Sequence, residues 1–318
     1  MVASRSLRVV FFGTPQFAVP TLDRLLASSH RVVAVVTQPD RPRGRGQKTS
    51  YAPVKARAID AGIPVLQPPT LKDSRTVSEI AGFAADLGVV AAYGKILTES
   101  ILQTPALGMV NVHASLLPLY RGAAPVHRAV IAGDSQTGIT IMRVVKALDA
   151  GPMLDVAHRS IDPDETSEDV ERDLAQLGAG LLVSTVDRLA RGPVHEEPQD
   201  DGRATYAPRV TKEDGVVDWS RSAVDIHNLI RGLYPWPHAH TFWRDRRLIL
   251  LRSSPSSGTT HAEAGTVIAA HSEELRVAAG DGHLQILQLQ AEGKRPMTAR
   301  EFLAGTHIEP GDHFSPHP

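Results

Sequence analysis

Over the first two thirds of this chain, short apolar runs alternate with helical stretches that stop at Gly, and this alternation limits the fold more than any other feature. Runs that are apolar on both faces must be covered on both sides. A mostly parallel, doubly wound sheet with helices on each face does this. The spacing predicts strands over Leu7–Phe12, Val32–Thr37, Val65–Leu66, Leu87–Ala92, Met109–His113 and Ile139–Val145. It predicts helices over Pro53–Ala61, Pro125–Ala132 and Glu168–Ala190, ending at Gly62, Gly133 and Gly192, where a left-handed cap suits glycine. In the last of these, Val170, Leu174, Leu177, Leu181 and Leu189 form an apolar stripe, and Glu168 and Asp169 favour its positive amino end.

From Gly192 to about Pro208 the periodicity gives way to Pro, Gly and charge, as in a linker. Beyond it, short apolar runs at Arg247–Leu251, Gly265–Ala269, Leu275–Ala278 and Leu284–Leu289 are separated by turn residues, which predicts a small OB-like β-barrel. The expected organisation is therefore a Rossmann-like α/β domain over 1–191, a linker over 192–208 and a barrel over 209–318.

Composition removes several classes of function. The chain has no Cys, so disulfides, thiolate metal ligands and a cysteine nucleophile are excluded, and a reducing cytoplasm is the expected compartment. The apolar run Leu7–Phe12 is stopped by Gly13-Thr14-Pro15, too short for a signal segment or a membrane span. A net charge of −1 means that any nucleic-acid contact must come from local patches. The turn after Phe12 lacks a full Gly-x-Gly-x-x-Gly pattern, so nicotinamide binding is not expected, and none of the 14 His falls in a zinc-binding spacing. His238 and His240 are read as surface residues of a Pro-rich turn. Trp219, Trp236 and Trp243 are read as packing residues of the second domain.

The most informative stretch runs from Asn111 to Pro125. Asn111 and His113 are two apart, so on a strand both side chains share one face. At the carboxyl end of a parallel strand they would stand where open α/β sheets bind ligands. An amide beside an imidazole can stabilise an oxyanion, and the imidazole can exchange a proton near neutral pH. Taken alone, the pair also fits buried polar groups that merely satisfy one another. Asp149, in Leu148-Asp149-Ala150-Gly151-Pro152, could orient His113 or accept a proton; it also fits an Asp that stabilises its own turn.

Together, Asn111-Val112-His113, Ser115-Leu116-Leu117-Pro118, Arg121-Gly122 and Leu148–Pro152 resemble the signature of the folate-dependent formyltransferases. The resemblance implies that Asn111, His113 and Asp149 are catalytic. It also implies that Ser115, Leu116, Leu117 and Pro118, with Tyr93 and Gly94 of the shared segment Ala92–Leu97, lie against the folate. The donor it implies is 10-formyltetrahydrofolate, with no metal, membrane or obligate protein partner.

Phe11–Pro20 and Ala92–Leu97 occur in several branches of the family and do not discriminate among them. Ala123-Ala124-Pro125 and the insertion Thr37–Lys48 are similar to the branch that formylates methionine carried on initiator tRNA, as are Ala204–Pro208, Asp214-Gly215, Asp218-Trp219 and Pro235-Trp236-Pro237. In the insertion, Arg41, Arg43, Arg45 and Lys48 are spaced by Gly and Pro, a cationic loop suited to phosphates, although a short basic run also fits a solvated loop. Arg244, Arg246, Arg247, Arg252, Lys294 and Arg295 are the cations expected to form an RNA-facing side of the second domain. The alternatives on the same fold are formylation of an amino sugar nucleotide and a noncatalytic RNA-binding protein.

Overall fold

A computed structural model describes residues 5–40, 51–258 and 261–317, and the backbone alone of 42–43 and 48–49. The chain divides into two compact units. One holds residues 1–125, 137–160 and 171–207; the other holds 126–136, 161–170 and 208–318.

The first unit is built on a seven-stranded sheet. Its strands are β1 (Arg8–Gly13), β2 (Arg31–Val36), β3 (Val65–Leu66), β4 (Leu87–Ala91), β5 (Met109–His113), β6 (Gln136–Arg143) and β7 (Met153–Ser160), in the order β7-β6-β5-β4-β1-β2-β3. β1 pairs in parallel with both β2 and β4, so the order reverses at β1, and β4 pairs in parallel with β5. Helices α1 (Val19–Leu26), α2 (Pro53–Asp60), α3 (Ser74–Gly82) and α4 (Glu99–Leu102) connect the parallel strands. The predicted strand over Ile139–Val145 overlaps β6, which begins three residues earlier and ends at Arg143, but it runs antiparallel to β5. Val9, Val10, Phe11 and Phe12 are fully buried. Burying each is worth roughly 1.5–3 kcal/mol, which accounts for an apolar run with no alternation.

Helices α5 (Pro125–Ala132) and α6 (Ser167–Leu189) follow. The buried stripe of α6 runs through Leu174, Ala179, Leu182 and Val186, while Leu177 and Leu181 sit at its half-buried rim. Gly178 lets this helix press on β5: a Cβ there would stand 2.8 Å from Val112 Cγ1. Val112 points to the opposite face of β5 from Asn111 and His113, so the helix packs on the strand without crowding those two side chains.

The second unit carries α7 (Ala223–Gly232) and α8 (Ala299–Gly305). Its six-stranded antiparallel sheet comprises β8 (Ala239–Trp243), β9 (Arg246–Ser256), β10 (Val267–His271), β11 (Glu274–Ala278), β12 (His283–Ala291) and β13 (Met297–Thr298). The order is β8-β9-β12-β11-β10, with β13 on β12. The chain's tail takes up both edges: Phe242 of β8 and Ser315 exchange backbone bonds of 2.9 Å, while Val267 of β10 donates to Asp312 at 2.8 Å. Trp219 and Trp243 are buried in this unit's core and Trp236 is half exposed. His240 is a correction to the sequence reading. It lies on β8 and is buried, because the residues following the Pro-rich turn enter the sheet. Among the described residues no helix is long and apolar enough to cross a membrane.

Candidate active site

The site forms where β5 leaves the sheet. Asn111 and His113 share a face of the strand, in register with Val90 and Thr140 respectively. His113 is buried, and its Nε2 lies 3.0 Å from the Tyr120 carbonyl oxygen. Its Nδ1 lies 3.8 Å from Oδ2 of Asp149. Nε2 is thus within hydrogen-bond distance of an acceptor, while Nδ1 stands near the carboxylate at a separation beyond a direct hydrogen bond. The Asn111 side chain is half-buried, and no residue among those described bonds its amide.

Asp149 follows β6 in a turn and adopts φ 46°, a left-handed conformation uncommon for a side-chain-bearing residue. Its Oδ2 accepts the Gly122 N–H at 2.9 Å. The three residues singled out in the sequence thus come from one strand and one turn, with Asp149 linked directly to the Arg121-Gly122 segment.

The Ser115–Pro118 loop is closed from within. Ser115 is fully buried and its hydroxyl donates to the Leu119 carbonyl at 2.6 Å. Thr140, also fully buried, donates to the Ser115 carbonyl at 2.7 Å and accepts the Leu117 N–H at 3.1 Å. The Ser115 side chain therefore shapes the turn, while Leu116 and Pro118 are its partly exposed members. Thr140 was not legible as a site residue: in sequence it is one β-branched residue in an apolar strand.

Tyr93, implied by the resemblance to lie against the folate, turns its ring into the core and its carbonyl toward the strand ends. Its ring is buried edge-to-face on Phe12 at 5.5 Å, and burial pushes its hydroxyl up to about 12. What it offers the strand ends is its carbonyl, which accepts from Thr14 Oγ1 at 3.2 Å and Gln38 Nε2 at 2.8 Å. Gly94 is exposed at φ 78°, and a Cβ there would meet the Gln38 amide. These bonds tie together the loops after β1, β2 and β4, at the point where the strand order reverses.

Arg41 and Arg45 lie outside the described residues, and only the backbone of Arg43 and Lys48 is described, paired antiparallel. At the start of that segment the Lys55 ammonium beside Asp40 holds its carboxyl below the usual range. Of the cations noted in the second unit, Arg244 bonds Asp312 at 3.1 Å and lies over the Trp243 ring, and Arg295 bonds Glu301 at 2.7 Å. Arg246, Arg252 and Lys294 are exposed, and Arg247 is half-buried.

The segment after α6 contributes most to the frame of the site. The Glu197 N–H donates to the Met153 carbonyl at 2.8 Å, with the reciprocal bond at 2.7 Å, and so lies on β7. Thr205 accepts the Tyr120 N–H on its hydroxyl at 2.8 Å and the Arg121 N–H on its carbonyl at 2.8 Å. Tyr206 and Ala207 pair in parallel with Arg121 and Gly122. Residues that read as a tether in sequence thus back the Tyr120–Gly122 loop, and their polar, Pro-broken composition carried no signal of that role.

An Asn, a His and an Asp at the mouth of a doubly wound sheet suit transfer of an acyl-type group to an amine. The sequence matches the formyl transferase family over residues 7–186 and the formyl transferase C-terminal domain over 209–307. The chain belongs to the formyl transferase family. It is 47% identical over 305 residues to the methionyl-tRNA formyltransferase of Citrifermentans bemidjiense, covering 96% of this chain and 95% of that one. It is 46% identical to the methionyl-tRNA formyltransferase of Geobacter sulfurreducens, covering 96% of each.

Among solved structures, the fold is similar to the sugar 3N-formyl transferase WlaRD, with a TM-score of 0.67 at 17% identity over 92% of this chain and all of that one. It is also similar to HypX from Aquifex aeolicus in complex with tetrahydrofolic acid, with a TM-score of 0.65 at 13% identity over 97% of this chain and 51% of that one.

Proposed function

We propose that this protein transfers the formyl group of 10-formyltetrahydrofolate to the α-amino group of methionine on initiator tRNA, giving N-formylmethionyl-tRNA for translation initiation in the cytoplasm. The observation that carries this reading is the convergence of Asn111, His113 and Asp149 in a chain nearly half identical, over almost its whole length, to methionyl-tRNA formyltransferases.

The attacking amine has an ordinary pKa of about 7.7–8.0, so little help is needed to present it neutral. Its nitrogen adds to the formyl carbon, and the carbonyl oxygen gains negative charge. Asn111 donates its amide N–H to that oxygen, and protonated His113 stabilises it from the same face of β5. Asp149 holds the imidazolium and, through a water, takes the proton that the amine loses. Collapse breaks the bond to the folate nitrogen, and the proton taken from the amine returns through the water to that nitrogen as it leaves, which restores the Asp149 carboxylate.

The partly exposed Leu116 and Pro118 and the backbone at Gly94 form the wall for the donor. Arg41, Arg43, Arg45 and Lys48 contact RNA phosphates, as do the exposed cations Arg246, Arg252 and Lys294 of the second unit, and contacts of this kind position a substrate rather than read its bases.

The test supplies formylated folate with charged initiator tRNA, charged elongator methionine tRNA and an amino sugar nucleotide in parallel. Formate on the initiator species is the expected result. Formate on the sugar alone, or on none of the three, would overturn the proposal.

A further inference from the structure

Asp149 occupies a backbone conformation that is costly for a non-glycine residue, and it persists only where its surroundings hold it. One hold is the Gly122 N–H on its carboxylate. The other is a side chain 50 residues downstream, that of Gln199. Its Nε2 donates to the Asp149 carbonyl at 2.8 Å and to the Gly151 carbonyl at 2.7 Å, so one amide nitrogen closes the turn. Its Oε1 accepts two bonds from Arg121, from Nε at 3.0 Å and from Nη2 at 2.8 Å.

Arg121 is buried, and its remaining side-chain partner among the described residues is the exposed Asp201, whose Oδ1 lies 2.7 Å from Nη2. Arg121 directly precedes the residue whose N–H binds Asp149, so the circuit closes on itself: Asp149 carboxylate, Gly122, Arg121, Gln199, Asp149 carbonyl.

A primary amide presents two N–H donors from one nitrogen and an acceptor from the other terminal atom, and this circuit uses all of them. A carboxylate of the same length would serve Arg121 as well or better but would face two carbonyl oxygens with no proton to give. Loss of the amide leaves two carbonyls short of a donor and the strained turn without one of its holds.

We infer that Gln199 is a positioning residue for the transfer reaction: it holds the Asp149 turn so that the carboxylate stays on His113. This rests on the proposed roles of Asp149 and His113. It makes Gln199, alone of the polar segment after α6, a support of the Asp149 turn, although Gln199 need not touch substrate.

Gln199→Glu and Asp201→Ala separate this role from simple anchoring of the segment. Gln199→Glu keeps a partner for Arg121, so the variant should stay folded, with a modestly lower melting temperature. Its kcat on charged initiator tRNA should nonetheless fall roughly 10–100-fold, as loss of outer partners of a functional group typically does, with KM for folate and tRNA within about twofold. Asp201→Ala removes an Arg121 partner but leaves every Gln199 bond, and kcat should stay within about twofold.

Hydrogen exchange over 147–153 and 121–124 reports the turn independently of activity, and it should quicken in Gln199→Glu and not in Asp201→Ala. A wild-type kcat and exchange pattern in Gln199→Glu, or equal losses in both variants, would overturn the inference. Wild-type enzyme that fails on charged tRNA would strike the functional reading instead, and the exchange experiment would still judge the clamp.

Discussion

Asp149 lies 3.8 Å from His113 across its Oδ2 and the ring Nδ1, and the same carboxylate oxygen accepts the Gly122 N–H at 2.9 Å. One oxygen is thus shared between the imidazole and the loop that follows it. The carboxylate is anchored by the backbone before any substrate arrives, so its orientation needs no reorganisation during the reaction.

Removing the proposed oxyanion donor, Asn111, is the most direct test of the chemistry. Asn111→Ala should lower kcat about 10²–10³-fold while charged tRNA binds nearly as before. Asp149→Asn should be at least as damaging, because it loses the negative charge that holds the imidazolium. Steady-state kinetics beside a tRNA-binding isotherm separate the two effects, and near-normal turnover in Asn111→Ala would remove the oxyanion role.

Thr140→Val tests the donor loop. The substitution keeps shape but removes a hydroxyl that serves the Ser115 carbonyl and the Leu117 N–H in a fully buried position. Stability should fall by about 1–3 kcal/mol for the unsatisfied groups, read by denaturant unfolding. KM for the formyl donor should rise more than KM for tRNA.

The basic insertion makes a prediction about salt. Neutralising Arg41, Arg43, Arg45 and Lys48 should weaken charged tRNA but leave the donor unaffected. The plot of log affinity against log salt should flatten by roughly 0.7–0.9 for each phosphate that the loop no longer neutralises. An unchanged slope would mean the loop is only solvated.

Stability should depend on pH through the second unit. Burial, first, and neighbouring Arg charges push His127, His227, His238 and His240 below their ordinary value of 6.5. Each is therefore neutral in the fold at a pH where the unfolded chain already binds a proton. By linkage, stability is full above about 6.5 and falls as pH drops from there toward the folded-state values. Melting temperatures should decline between pH 7.5 and 5.5. The decline should shrink in His227→Gln, whose ring nitrogens lie 3.1 Å from Ser253 Oγ and 3.0 Å from the Pro163 carbonyl oxygen. A flat profile over that window would count against this account.

Much of the fold was legible because local chemistry decides it. The runs that became β1, β2, β4 and β5 are too apolar to leave either face in water, and period two placed Asn111 and His113 on one side before any coordinates. Strand β7 and helices α1, α3 and α4 were not read, because their patterns are short or mixed and their stability comes from packing on the sheet. The antiparallel turn of β6 could not be read either, since apolar content does not encode strand direction.

The sequence by itself determined which residue types could do the chemistry and that two of them share a strand face. Only the tertiary structure decided that Asp149 meets His113, that Thr140 locks the Ser115–Pro118 loop, that Tyr93 turns into the core and that Gln199 reaches back 50 residues to hold the Asp149 turn. The reason is physical: periodicity acts over a few residues along the chain, whereas each of those contacts is a hydrogen bond, charge or ring contact between segments brought together only when the sheet and its connecting segments pack.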